Sequence, residues 1–298
     1  MGSTIRCALR PASGGLWPAT HTCSPVSDTL RLTIAGASGR MGQALLETAL
    51  AEPDVVLAGA LDVAASPLLG RDAGERFGRA TGIMVSADIP AAVAGADVLI
   101  DFTRPEGTLA HVAACARAGV SAVVGTTGLS AADKRALADF GKAIAIVFAP
   151  NMSVGITVLL RLAEQAAKLL GIDYDVEIVE MHHRHKVDAP SGTALLLGDA
   201  VAKALGRDLK NDGVFGRNGV TGERKPGTIG FASSRGGDVV GDHSLIFAGV
   251  GERVELTHRA GSRVNFAQGA LRAARFVAAK RAEGAKGLFD MQDVLGIR

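Results

Sequence analysis

Leu30-Arg31-Leu32-Thr33-Ile34-Ala35-Gly36-Ala37-Ser38-Gly39-Arg40-Met41-Gly42 joins a run of strand-forming residues to glycines spaced G-x-x-G-x-x-G. Helical character follows over residues 41–50, and residues 55–61 read as a second buried strand. Glycines at a strand-to-helix turn let backbone amides approach a pyrophosphate, and the helix N-terminus adds a favourable partial charge. Asp62 stands at the end of the second strand, twenty residues beyond Gly42, where a carboxylate suits the adenine-side ribose hydroxyls of a dinucleotide. It would oppose a ribose 2′-phosphate, and Val63 beside it brings no balancing cation. The reading favours NADH. NADPH stays open, because Arg40 could neutralise a phosphate if its side chain reached the ribose edge. An ordinary tight turn beside a solvated Asp is the plain alternative.

Working outward, further strands are expected at residues 97–102, 121–124 and 143–148, separated by helices over 105–118 and 130–140. Ser130, with Asp133 three residues on, makes a helix cap. This alternation implies an α/β layer structure around a mostly parallel, Rossmann-like sheet, with function beyond the carboxyl ends of its strands. Phe102-Thr103, Gly125-Thr126-Thr127-Gly128 and Ala149-Pro150-Asn151-Met152 all follow strands on that side. The second could offer amides and hydroxyls to a nicotinamide, and the third could form the floor between domains. Either could also be a structural loop.

The pattern changes after Asn151. A long amphipathic helix (154–170), a two-faced strand (174–181) and a helix running from Ser191-Gly192-Thr193 through residue 205 precede a glycine-rich loop over 212–222. Strands at 228–234, 244–248 and 253–258 and a helix over 266–280 follow. Strands without regular intervening helices imply an α+β domain on an open mixed or antiparallel sheet. The expected division is a leader (1–29), a dinucleotide-binding domain (30–152) and a second domain (153–262).

The chain has 298 residues, 48% of them hydrophobic, with 32 Lys and Arg against 30 Asp and Glu. That supports substantial cores and gives no electrostatic reason to expect nucleic acid as a partner. No apolar run reaches the roughly 18 residues of a membrane helix, so no membrane partner is expected. Cys7, Cys23 and Cys115 lack metal-ligand spacing and fit a reducing compartment, the cytoplasm. The opening segment carries Arg6, Arg10 and many small or hydroxylated residues, with no acid before Asp28. A disordered leader or an overly early start fits it, with plastid import as the lesser alternative.

Glu180-Met181-His182-His183-Arg184-His185-Lys186 compresses three of the seven histidines into four positions, with two cations interleaved. An anion-facing patch gives those charges partners, and a solvated basic turn is the bland alternative. His182 and His183 on a strand would point to opposite faces, and no nearby cysteine or acid pair completes a ligand set, so no metal is expected. Imidazoles here suit proton transfer or anion binding. Asp188-Ala189-Pro190-Ser191-Gly192-Thr193 then leads into a helix. Ser191 or Thr193 could satisfy its first amides, and Gly192 allows close approach, which makes a carboxylate site that Lys186 could complete. A plain helix cap is the alternative.

These segments, as GASGRMG, DFTRPEGT, GTTG, APNMSVG, EMHHRHKVDAPSGTA, TGERKPGTIGFASSRGGDVVGDH and GLFDMQDVL, resemble the 4-hydroxy-tetrahydrodipicolinate reductase (dihydrodipicolinate reductase) family over residues 30–295. The resemblance implies NAD(P)H-dependent reduction of a small dicarboxylated cyclic imine to tetrahydrodipicolinate with loss of water, in the diaminopimelate route to lysine. It implies that His182 is the proton donor and that Lys186 is a catalytic and carboxylate-binding residue. His183, Gly192 and Thr193 match substrate-binding positions. Gly36, Ala37, Ser38, Gly39, Arg40, Met41, Asp62, Gly125, Thr126, Thr127, Ala149, Pro150, Asn151 and Met152 match cofactor positions. It further implies that residues 263–298 return to the cofactor domain, that the second domain binds substrate and mediates oligomerisation, and that the protein is a homotetramer. Two other classes remain open on the residues alone. A sugar or amino-acid dehydrogenase would carry a different catalytic arrangement, and a dinucleotide-binding sensor would bind cofactor without turnover.

Overall fold

Strand β1 (Leu30–Ala35) is central in its sheet because both its faces are covered, and Leu32, Thr33, Ile34 and Ala35 are all buried. The computed structural model describes residues 29–297. The leader expectation therefore lies, apart from its last residue, outside the described residues. The chain continues through α1 (Arg40–Ala51), β2 (Val55–Leu61), β3 (Val85–Ser86), α2 (Ile89–Val93), β4 (Val98–Asp101), α3 (Pro105–Ala118), β5 (Ser121–Val124), α4 (Ala131–Phe140) and β6 (Ala145–Phe148). With β12 (Gly287–Phe289) these strands form one sheet in the order β12-β6-β5-β4-β1-β2-β3, and every pairing in it is parallel.

Wholly buried strands read as continuous apolar runs, and VLID, SAVV and AIVF are of that kind. Alternate side chains feed two cores. Ile34, Val98, Ile100 and Val147 pack with Leu45 and Leu46 of α1 and with α8 (Val264–Ala282). Leu99, Val124 and Ile146 pack with Val93, Val112 and Leu137 from α2, α3 and α4. Strand order reverses at β1, between β2 and β4, and such a reversal opens a crevice at the carboxyl ends.

The second sheet is mixed, in the order β11-β10-β7-β9-β8. It comprises β7 (Asp175–His182), β8 (Gly213–Val214), β9 (Ile229–Arg235), β10 (Gly241–Ala248) and β11 (Arg253–Ala260). Helices α5 (Val154–Leu170) and α6 (Gly192–Ala204) cover one face, burying Ile156 and Leu197 against Val176, Ile178, Phe231 and Phe247. Its other face is more open, and Val179 and Met181 are exposed there. The fold class is as expected: a parallel Rossmann-like sheet followed by an α+β unit on a mixed open sheet. Three details differ. Residues 213–214 form β8 inside the expected loop, β3 and α2 occupy a stretch with no legible periodicity, and α7 (Leu209–Asp212) and α9 (Met291–Leu295) are short additions.

Candidate active site

Gly36 adopts φ +77°, a conformation that costs an L side chain, so the chain can turn sharply out of β1. A Cβ on Gly42 would lie 2.0 Å from the Gly36 carbonyl oxygen, so glycine alone lets α1 seat on the turn. Gly39 caps α1 without a side-chain hydrogen bond, which leaves the first-turn amides of a twelve-residue helix available to an anion. Asp62 closes the other side, accepting from Ser38 N–H at 2.7 Å, Val63 N–H at 2.8 Å and Ser66 Oγ at 3.1 Å. These bonds aim the carboxylate at the turn rather than leaving it solvated. Its environment fits a dinucleotide: an uncapped helix start, a cradle that a Cβ would fill, and an acid at the ribose edge.

Arg40 lines a hollow with Arg76, Ser262 and Arg263, and together with Arg263 it acts electrostatically on His183. The cofactor turn and the histidine segment therefore face each other. His183 is held below the ordinary imidazole range, first by burial and then by those two guanidinium charges. Its Nδ1 is buried without a protein hydrogen-bond partner.

Asp101, at the end of β4, is fully buried and organises the far side of the crevice. Its Oδ1 accepts from Thr103 N–H and Oγ1 at 2.8 Å each, from Thr126 Oγ1 at 3.0 Å and from Thr108 Oγ1 at 3.1 Å. Its Oδ2 lies 2.6 Å from His111 Nδ1. Burial alone would push this carboxyl up, but His111 and the Thr103 bonds outweigh it and hold it below the usual carboxylate range. Gly125 is needed beside it, because a Cβ there would meet the Phe102 ring at 2.3 Å.

One hollow gathers Met41, Gly125, Thr126, Thr127, Pro150, Asn151 and Met152, with Phe102, Thr103 and Phe266 at its edge. Ala149 does not line it and is buried behind. Asn151 links this hollow to the start of α6: its Nδ2 donates to Thr193 Oγ1 at 3.0 Å. Its Oδ1 accepts from Ser153 N–H at 2.8 Å, which fixes the amide orientation and leaves the Thr193 hydroxyl proton free to donate elsewhere.

On β7 the alternation buries Val176, Ile178, Glu180 and His182 on the helix-covered face. His182 lies within the strand, one residue past its expected end, so its backbone is fixed by pairing to Arg235 of β9. His182 Nδ1 is 2.6 Å from Glu180 Oε2, and its ring meets His243 edge-on with centroids 5.1 Å apart. His243 is pushed down to about 4, first by burial and then by the neighbouring His182, which makes it a neutral partner of Ser191 Oγ at 2.9 Å. Ser191 caps α6 by accepting from Ala194 N–H. Thr193 shows no such cap and is held by Asn151 instead. Nothing lies within 4 Å of a Cβ built on Gly192, so that helix start is open. Lys186 Nζ donates to both carboxylate oxygens of Asp188, at 2.7 and 2.8 Å.

Glu180, His243, Arg235, Arg263 and Asp101 were not singled out from the sequence. For Glu180 a signal existed, since an acid two residues before a histidine on a strand shares its face. The others come from distant segments. Among the described residues no cluster of metal-ligating side chains occurs, and no helix is long and apolar enough to cross a membrane.

The family models described as dihydrodipicolinate reductase, N-terminus and C-terminus, match residues 30–152 and 155–295. A 4-hydroxy-tetrahydrodipicolinate reductase of Burkholderia ambifaria (strain MC40-6) is 60% identical over 269 residues, spanning 90% of this chain and 100% of that protein. The protein of the same name from Laribacter hongkongensis (strain HLHK9) is also 60% identical, over 90% of this chain and 99% of its own. Among solved structures, a dipicolinate-bound dihydrodipicolinate reductase from Paenisporosarcina sp. TG-14 shares the fold, with TM-score 0.68 and 24% identity over 89% of this chain and 98% of that one.

Proposed function

The chain belongs to the dihydrodipicolinate reductase family, and from that premise we propose how its residues divide the work of the family reaction. It is an enzyme that carries out the NAD(P)H-dependent reduction step of that family on the diaminopimelate route to lysine. The substrate is 4-hydroxy-tetrahydrodipicolinate, a small cyclic dicarboxylate that is reduced to tetrahydrodipicolinate with loss of water. The observation that carries the assignment of roles is the Asn151–Thr193 bond, which joins the hollow lined by Met41, Gly125 to Thr127 and Pro150 to Met152 to the open start of α6.

The cofactor site comprises Gly36 to Met41, Asp62, Gly125 to Thr127 and Ala149 to Met152. When bound, the reduced nicotinamide supplies the hydride. The α6 start, with the Gly192 and Thr193 amides and the Thr193 hydroxyl, holds one substrate carboxylate, and Lys186 takes the other by leaving Asp188. His183 offers an unpaired Nδ1 to the same ligand. Held so, the ring lies beside the nicotinamide, which raises effective concentration and orients the acceptor carbon. His182 protonates the electron-rich carbon left after reduction, and Lys186 stabilises negative charge.

NADH is the favoured donor, because the Asp62 carboxylate would repel a 2′-phosphate. NADPH is admitted because Arg71 and Arg76 border the hollow beside Ser38. Residues 30–152 with 263–298 form the dinucleotide domain and 153–262 the substrate domain. The face that exposes Val179 and Met181 is where copies meet in a homotetramer, and the cytoplasm is the compartment. Freshly generated substrate, with NADH and NADPH oxidation followed separately, tests the reading: turnover with both and a lower KM for NADH is expected. No turnover with either, in a preparation that binds NADH, would refute it. Light scattering at the monomer mass would remove the tetramer.

A further inference from the structure

Glu180 is 1% exposed, yet it is an ionised acid with a full set of donors. Arg235 grips it from β9 in a two-pronged pair, Nη1 to Oε2 and Nη2 to Oε1, at 2.9 Å each. Ser191 N–H, at the start of α6, donates to Oε1 at 3.2 Å. Burial would raise this carboxyl, but Arg235, His182 and Ser233 together hold it down at about 2. A carboxylate so paired only accepts hydrogen bonds. His182 Nδ1, 2.6 Å from Oε2, must therefore carry the proton in that contact.

The opposite edge of the ring is kept open. A Cβ on Gly241 would lie 2.9 Å from His182 Nε2, so any side chain there would cover that nitrogen. The Glu180–Arg235 pair also reaches the rest of the substrate segment, because Arg235 Nη2 donates to the Asp188 carbonyl at 2.5 Å. Thus one buried carboxylate fixes the imidazole, the α6 start and the turn that carries Lys186.

We infer that Glu180 is the positioning residue of the reaction: it keeps a proton on His182 Nδ1 in both charge states, so that the imidazolium gives up the proton on Nε2, which Gly241 leaves uncovered, and returns to the neutral Nδ1–H ring. The inference rests on the assignment of His182 as proton donor. Other groups facing the ring are His243 of β10, Ser191 at the α6 start, Arg235 beyond Glu180, and His183 and Lys186 on the following turn. None of them reaches Nδ1. Removing the Glu180 charge would therefore act on His182 directly, making its imidazolium less stable and freeing the ring to turn.

Two measurements test this. In the parent protein labelled with 15N-histidine, two-bond 15N–1H correlations should show His182 with a protonated Nδ1 throughout its neutral range, assigned by loss of the signal in His182→Gln. A neutral His182 carrying its proton on Nε2 overturns the inference, and this needs no variant to fold. In Glu180→Gln, turnover should fall by about 10² with substrate KM changed less than about threefold, and the falling limb of the kcat–pH profile should move to lower pH. Parental turnover in that variant overturns the inference, as does a fall in turnover with an unmoved profile and an unchanged His182 tautomer. If His182→Gln itself turns over like the parent, the proton-donor assignment fails instead, while the tautomer measurement still decides whether Glu180 holds the ring.

Discussion

Gly42→Ala is the substitution whose consequence the geometry fixes most sharply. The added Cβ would lie 2.0 Å from the Gly36 carbonyl oxygen and 2.7 Å from its carbon. Carbon–oxygen contacts are comfortable only from about 3.3 Å, so the helix start and the glycine turn must separate by about 1 Å. Ala favours helix over Gly by about 1 kcal/mol, which offsets part of an overpacking cost of about 1–3 kcal/mol. The folded state should therefore survive. The amides that meet the pyrophosphate should not keep their aim, and losing one or two charge-assisted bonds of about 1.5–3 kcal/mol each raises the NADH Kd about 10²-fold. Calorimetric titration of NADH into parent and variant, with thermal melts run alongside, separates lost binding from lost folding. If Gly42→Ala binds NADH within about threefold of the parent, the argument from close approach is wrong.

Lys186→Ala should lower kcat/KM for the cyclic dicarboxylate by about 10–100-fold, and initial rates over a substrate series check it against an unchanged NADH Kd. Asp62→Asn removes the charge that opposes a 2′-phosphate, so the NADH preference should narrow, read as the ratio of the two kcat/KM values; an unmoved ratio rejects that role. Asp101→Asn should cost about 3 kcal/mol in urea unfolding at neutral pH and raise the KM for NADH. The parent carboxyl is held below its unfolded value, so its contribution is complete above about pH 4 and fades as pH falls through the lower folded value. The gap between parent and Asp101→Asn should accordingly shrink below about pH 4, and a gap that widens there would contradict the sign.

The parallel sheet was legible because strands buried on both faces are written as apolar runs, and the Ser130–Asp133 capping box reads directly from its spacing, with both of its bonds formed. Elements of two to five residues, such as β3, β8 and α2, span too little chain to show a period. The His182 segment stood out by composition, but its supports did not. Arg235 and His243 lie 53 and 61 positions downstream of His182, and only the pairing of β7 with β9 and β10 brings them alongside. The company of Arg40 was equally beyond reach: Arg263, which lines the same hollow from the start of α8, lies more than two hundred residues away in the chain.

Asp101 and Glu180 show why two buried acids are retained near the site when each costs several kcal/mol to desolvate. Threonine hydroxyls and imidazoles have rotational freedom that apolar packing does not remove, and a reaction sensitive to small misplacements needs that freedom gone. A carboxylate can accept several donors at once and so fix them relative to one another. Asp101 gathers Thr103, Thr108, Thr126 and His111 from the loops and helix at the carboxyl end of the parallel sheet. Glu180 gathers His182, Ser191 and Arg235 from three elements of the second unit. Each sheet thus carries one rigid charged hub at the carboxyl end of a strand, and Asn151 bonded to Thr193 joins the two neighbourhoods. Apolar residues of equal volume would give a comparable core, but they could not fix hydroxyls and an imidazole from separate segments relative to one another.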